Sequence, residues 1–166
     1  MSYSVVYATS TGNTKLLADN VAEALGSECV YLGQPDEKAK ESDVIFVGFW
    51  TDKGTCNEEI KEFITCLKDK KVVLFGSAGA GSEDYLNKVL NNVKGELDES
   101  CEVVAEFMCQ GKMQQNVKAR YERMLEEKPG DEQILSLIKN FEEALNHPNE
   151  DDLARLKNTV KKAIEK

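Results

Sequence analysis

The sequence predicts an α/β fold: a doubly wound, five-stranded parallel sheet with helices on both faces and extra helices near the C-terminus. Three observations carry this prediction. Short apolar runs of strand length alternate with segments whose apolar residues recur at helical spacing. One run, Val44-Ile45-Phe46-Val47-Gly48-Phe49-Trp50, is continuously apolar, as a strand covered on both faces must be. The connections between successive runs hold amphipathic helices, which is how parallel strands are joined.

Residues 3–8 are β-branched and aromatic enough for a buried first strand, and Leu17, Val21, Ala24 and Leu25 mark a helix that Gly26 stops. Cys29-Val30-Tyr31-Leu32 reads as a short second strand, and Val44–Trp50 as a central third. Ile60, Phe63, Ile64 and Leu67 give the next helix, Val72-Val73-Leu74-Phe75 the fourth strand, and Leu86, Val89, Leu90 and Val93 a third helix. Cys101 to Met108 is the last strand. Leu153, Leu156, Val160 and Ile164 make a closing helix, capped by the polar stretch around Asn149 and Asp151. Between the last strand and this helix, Val117, Tyr121 and Met124, then Ile134, Ile138, Phe141 and Leu145, are spaced as two further helices. Lys128-Pro129-Gly130-Asp131 separates them. The expected organisation is one domain over 1–166 with a helical insertion at about 113–146, serving either as scaffold or as a docking surface.

A chain of 166 residues is the usual size of one domain. Its 30 acidic and 21 basic residues leave a net charge of −9, which argues against nucleic acid or an anionic membrane as partner and favours a basic or neutral protein surface. No apolar run approaches the roughly 18–20 residues that cross a bilayer, and a cytoplasmic protein is expected. The five cysteines have no close C-x-x-C spacing and the chain has one histidine, so the expected cysteines are reduced, small apolar residues without a metal.

In such a sheet, ligands bind beyond the carboxyl ends of the strands. After the first strand comes Thr9-Ser10-Thr11-Gly12-Asn13-Thr14. Gly12 permits a tight turn, and backbone N–H groups with the hydroxyls of Thr9, Ser10, Thr11 and Thr14 can converge on an anion at a helix N-terminus. Nothing in this loop is charged and the chain has no G-x-x-x-x-G-K-[ST] motif, which points to cradling of a phosphate monoester rather than chemistry on a triphosphate. The simpler alternative is a hydroxyl-rich helix cap. The second loop, Trp50-Thr51-Asp52-Lys53-Gly54, opens on the only tryptophan, suited either to stacking on a planar ligand or to partial burial in the core. Cys56 follows with no histidine nearby and reads as unreactive. The third loop, from Gly76 through Ser77, Ala78, Gly79, Ala80 and Gly81, has its glycines spaced G-x-x-G-x-G after a late strand, which is not the dinucleotide fingerprint. Its small residues permit close backbone approach to a flat ring; a mobile loop with a cap at Ser82 is the plainer account.

With the hydroxyl loop after the first strand and two further loops in order, the sequence resembles the flavodoxin family over about 1–112 and again over 151–166. The resemblance implies a flavodoxin-like sheet binding FMN, with Thr9 to Thr14 around its phosphate and the two later loops, Trp50 to Gly54 and Ser77 to Gly81, around the isoalloxazine ring. It also implies a backbone carbonyl in Asp52-Lys53-Gly54 that accepts a hydrogen bond from reduced flavin, with Gly54 as the flip point. Three departures stand out: Trp50 lies about two residues early for the usual ring-stacking tryptophan, the third loop lacks the usual tyrosine, and the insertion follows the last strand rather than interrupting it. The implied activity is electron transfer between a reductase and an acceptor enzyme, with no catalytic residue of the protein's own. Two alternatives remain: an FMN-dependent reductase acting on its own small-molecule substrate with the insertion as a lid, or a flavin-free interaction module.

Overall fold

In the computed structural model, which describes residues 1–165, the strands are β1 (Tyr3–Tyr7), β2 (Cys29–Gly33), β3 (Val44–Asp52), β4 (Thr55–Cys56), β5 (Lys71–Ala78) and β6 (Glu102–Gln110). The helices are α1 (Asn13–Leu25), α2 (Glu58–Thr65), α3 (Glu83–Lys94), α4 (Gln115–Glu127), α5 (Glu132–Ala144) and α6 (Glu150–Ile164). Five strands pair in parallel in the order β2-β1-β3-β5-β6, with the continuously apolar β3 at the centre. The direction of travel across the sheet reverses between β1 and β3, so the loops after these two strands flank the switch point where such sheets bind ligands.

One apolar face of the sheet is covered by α2 and α3 through Ile60, Phe63, Ile64, Val89, Leu90 and Val93. The other is covered by α1 and α6 through Leu17, Ala18, Val21, Leu25, Leu156 and Val160. The two faces are locked by a reciprocal device in the central strands. Gly48 of β3 is paired with Phe75 of β5, and the next pair inverts the arrangement, Phe49 with Gly76. Successive residues of a strand point to opposite faces, so Phe49 enters the core under α2 and α3, and Phe75 the core under α1 and α6. Both rings are fully buried, and each fills the space left by the glycine opposite: a Cβ on Gly48 would lie 2.4 Å from Phe75 Cε2, and one on Gly76 2.5 Å from Phe49 Cζ.

Three strands, β3, β5 and β6, run two or more residues past their expected ends, β6 reaching Gln110. The fourth expected strand, β5, runs on through Gly76-Ser77-Ala78, because these small residues are buried in register with Phe49 and Trp50 on one side and Met108, Cys109 and Gln110 on the other. Similarly, β3 continues to Asp52 and turns back into the two-residue strand β4, a sixth strand the apolar pattern does not show. The inserted helices α4 and α5 fall within the expected span and are joined by the Lys128–Asp131 break; the Asp131 carboxylate caps α5 by accepting from the N–H groups of Gln133 and Ile134. Among the described residues, no helix is long and apolar enough to cross a membrane.

Helix α6 begins with a capping box in which the Asn149 side chain accepts from the Asp152 N–H and the Asp152 carboxylate accepts from the Asn149 N–H. Asp152, rather than the exposed Asp151, completes the cap, and it also meets His147 Nδ1 at 2.6 Å and Arg155 Nη2 at 2.8 Å. Burial alone would raise this carboxyl, but the hydrogen bonds with His147, the Asn149 N–H and Arg155 hold it below its ordinary value.

Gly48→Ala and Gly76→Ala are each expected to lower stability by about 1–3 kcal/mol in urea titrations, through overpacking against Phe75 and Phe49. Phe75→Leu should recover part of the Gly48→Ala loss. Because the folded carboxyl of Asp152 titrates below the unfolded one, its contribution is present above about pH 4 and fades as pH falls through the folded value. Asp152→Asn should therefore cost about 1–2 kcal/mol near pH 7, with the gap to the parent closing as urea titrations move to acid.

Candidate functional site

At the carboxyl end of β1 the hydroxyl loop turns through Gly12, whose φ of +93° lies in the left-handed region that glycine adopts without strain. The Gly12 N–H donates to Thr9 Oγ1 at 3.1 Å, and the Leu16 N–H returns to the Gly12 carbonyl, starting α1. Among the described residues, no side chain caps this helix. Its first N–H groups are therefore left for another acceptor. Thr14, in the first turn, is fully buried, and its Oγ1 has no hydrogen-bond partner. A buried hydroxyl without a partner costs stability in the protein alone. With an uncapped helix N-terminus beside it and no charged residue in the loop, the arrangement fits an anion held by N–H and O–H donors.

At the end of β3, Trp50 is half-buried and its backbone is held by Asn57 on both sides, the Trp50 N–H donating to Asn57 Oδ1 and the Asn57 N–H to the Trp50 carbonyl. Thr51 Oγ1 donates to the Ser77 carbonyl at 2.8 Å, tying β3 to β5 at the mouth of the site. Asp52 then pairs with Thr55 across a two-residue turn in which Lys53 and Gly54 both have positive φ, 52° and 83°. That is the geometry of a tight type I′ hairpin. The Gly54 carbonyl is occupied, accepting from Asn92 Nδ2 of α3 at 2.8 Å.

The segment after β6 crosses the tops of the other strands. The Gly111 N–H donates to the Ala78 carbonyl, Asn13 Nδ2 donates to the Lys112 carbonyl at 2.9 Å, and Gln114 Nε2 donates to Ser10 Oγ at 3.0 Å. Met113 packs over Gly79 so closely that a Cβ there would lie 2.5 Å from its sulfur. The Gly79 carbonyl accepts from Gln110 Nε2 and from Asn140 Nδ2 of α5. This strap therefore binds the hydroxyl loop to the third loop, and α5 supports the third loop through Asn140.

Together these four segments enclose a cavity of about 360 Å³, within the range of small-ligand sites. Its walls are Ser10, Thr11 and Asn13; Trp50 and Thr51; Ser77, Ala78 and Gly79; and Gly111 to Gln114 with Asn116 and Val117. Among the described residues, Lys112 is its one ionisable side chain. A larger groove, about 740 Å³, runs along the edge strand β6 between α3 and α6. It lies to the side of the strand ends where the loops converge, so the smaller cavity is the candidate site.

A family model described as the flavodoxin domain matches residues 4–161. The chain belongs to this family. The "Flavodoxin-like domain-containing protein BilS" of Clostridium symbiosum is 39% identical over 173 residues, covering 93% of this chain and 91% of that protein. The protein of the same description from Clostridioides difficile is 31% identical, covering 90% and 88%. Among solved structures, oxidised Flavodoxin 2 from Bacillus cereus superposes with a TM-score of 0.65 at 16% identity over 99% of both chains, a likeness of fold. The domain is thus flavodoxin-like, of the flavin-binding electron-transfer class.

Within this flavodoxin domain, eight residues singled out from sequence line one cavity: Ser10, Thr11, Asn13, Trp50, Thr51, Ser77, Ala78 and Gly79. Thr9, Gly12 and Thr14 form the turn beneath them. Asp52, Lys53 and Gly54 lie in the hairpin outside the lining, and of the three carbonyls of this segment, one of which is expected to accept from a ligand, that of Gly54 is tied to Asn92. Ala80 is exposed outside the lining, and Gly81 borders the groove along β6 instead. Ser77 and Ala78 lie within β5 rather than in a loop. Sequence reasoning passed over Gly111–Val117, although the rule that selects loops after strands applies equally to the residues following β6. Cys56, as expected, is a buried thiol that burial pushes up, away from reactivity.

Thr14→Val keeps the shape of the side chain and removes the unpartnered hydroxyl. The ligand-free protein should gain up to about 1 kcal/mol in urea titrations, a reversal of the usual sign for a core substitution.

Proposed function

We propose that this flavodoxin domain binds FMN and shuttles electrons between a reductase and an acceptor enzyme. The observation that carries the reading is the uncharged cradle at the N-terminus of α1, where Thr14 Oγ1 is buried without a partner and the helix has no side-chain cap. A phosphate monoester supplies the missing acceptor for both. Ser10, Thr11 and Asn13 of the lining, with Thr14 in the turn beneath them, are the residues that would hold it, and Trp50, Gly79 and Met113 are those available to the ring in the same cavity. The bound cofactor supplies one-electron or two-electron transfer. The protein's own contribution is to bind, to orient and to limit water: the strap fastened at Ser10, Asn13 and Gly79 closes one side of the cavity.

Carriage is favoured over catalysis on a separate substrate by the lining itself. General acid–base chemistry needs a titratable group within hydrogen-bond reach of the substrate, and Lys112 alone is ionisable there. Because residues 111–117 complete the site, the insertion and the sheet are proposed to work as one unit over the whole chain.

Purified protein should be yellow or, as apoprotein, should quench FMN fluorescence on titration; a colourless chain without FMN affinity overturns the reading. Thr14→Val should weaken FMN by roughly 10-fold or more, as expected for one hydrogen bond to a charged phosphate oxygen. Anaerobic NADPH alone should leave the flavin oxidised until a separate reductase is added. Direct reduction by NADPH would favour the alternative of a reductase with its own substrate.

A further inference from the structure

Helix α4 is set apart by what it does not bury: none of its 13 residues is buried, and it leans on α5. Its first turn lines the cavity through Asn116 and Val117. Residues four and seven apart share a helix face, so Arg120 and Arg123 continue outward from Asn116, and the exposed Met124 continues from Val117. Lys112 is exposed at the cavity rim.

These positive charges stand in an acidic protein. Residues 112–128 hold Lys112, Lys118, Arg120, Arg123 and Lys128 against Glu122, Glu126 and Glu127, whereas the whole chain has a net charge of −9. Lys118 lies at 4.0 Å from both Glu122 and Glu142. Among the described residues, Lys112, Arg120 and Arg123 are in no ion pair; Arg120 lies over the Tyr121 ring at 5.6 Å. At this end of the sheet the opposing charges lie away from α4, in the first turns of α2 (Glu58 and Glu59) and α3. Thr9–Thr14 and Gly76–Ser82 are uncharged, Asp52 is followed by Lys53 in the hairpin, and Glu83 and Asp84 begin α3.

We infer that the exposed face of α4 is a docking surface for the electron-transfer partner, and that this partner presents an acidic rim around an apolar contact. The inference rests on the reading of the domain as an FMN carrier. It reverses what net charge implies, because screening over roughly 8 Å at physiological salt makes the charges at the contact, rather than the sum over the molecule, decide which surfaces meet. The acidic remainder then repels the same partner and orients it toward α4. Val117 and Met124 supply the apolar part of the contact next to the cavity. An anionic bilayer would also meet a basic, apolar helix face, but Glu122, Glu126 and Glu127 on the same helix oppose it.

The FMN-loaded protein, photochemically reduced, is oxidised by hexacyanoferrate(III) and by tris(phenanthroline)cobalt(III) at salt concentrations from about 20 to 500 mM. The expected result is a hexacyanoferrate rate that falls at least about threefold with salt and a cobalt rate that rises, the signs of a positive site. The double variant Arg120→Glu/Arg123→Glu should invert both slopes with FMN affinity unchanged within about twofold, since neither residue lines the cavity. A hexacyanoferrate rate that rises with salt in the parent, or slopes unmoved by the double variant, overturns the inference. A flavin-free arm keeps failure of the FMN reading separate: amide chemical-shift changes on adding a glutamate-rich peptide should fall on residues 112–124. Shifts elsewhere, or binding to phosphatidylserine vesicles in preference to the peptide, overturn it as well.

Discussion

The interlock of Gly48 with Phe75 and Phe49 with Gly76 fixes how β3 and β5 lie together, and the rest of the molecule is built outward from that register. Two aromatic rings of this size cannot be slid by one residue without meeting a neighbouring side chain instead of a glycine, and a one-residue slip would also turn each ring to the wrong face. Held in this register, Trp50 falls opposite Ser77, and Ser77 in turn opposite Cys109 of β6. The ends of three strands are thereby level where the site forms. The same two pairs connect the cores above and below the sheet, so the helices that cover each face pack against a common fixed layer.

From that level edge, small residues do work that larger ones could not. Gly79 leaves room for the Met113 sulfur, and Gly111 leaves room for the Asn13 amide, which a Cβ at Gly111 would approach to 2.4 Å. Each is a close approach between the strap and a segment that follows an earlier strand. The hydrogen bonds of Asn13, Gln114 and Asn140 then convert these approaches into a fixed frame. The insertion is consequently wired to the candidate cavity by its first turn and by α5, while most of α4 remains free of the core. A helix placed in this way can serve a partner without disturbing the packing that holds the site.

Much of this was legible in the sequence, for reasons that differ by element. Apolar periodicity marks β1, β3, α1, α2, α3 and α6 because each buries a continuous face, and the hydroxyl loop is legible because it joins the first strand to the first helix. The tail of β5 is not, since Gly76, Ser77 and Ala78 are buried by their neighbours' bulk rather than by their own apolarity. The β3–β4 hairpin escapes notice for another reason: Lys53 takes a positive φ that side-chain chemistry does not advertise, and Asn92, distant in sequence, holds the turn through Gly54. The strap was hidden by its role as a connection. Its contacts span about a hundred residues, from Ser10 to Gln114, and no local pattern reports them.

The distribution of charge separates two tasks that proteins of this kind must perform together. Under the proposed reading, a cradle of N–H and O–H donors with no charged side chain holds a phosphate through short-range hydrogen bonds and the field of one helix terminus, both acting within a turn of the helix. Buried donors of this sort are weakly screened by salt. The guanidinium groups of α4 are exposed, so any attraction they exert on a partner would be strongly screened and lost quickly once ions compete. Under the proposed reading, a carrier built this way retains its cofactor under the same conditions that release its partner. Had the phosphate been held instead by exposed lysines, cofactor and partner would respond to salt together, and every dissociation from a partner would also loosen the flavin.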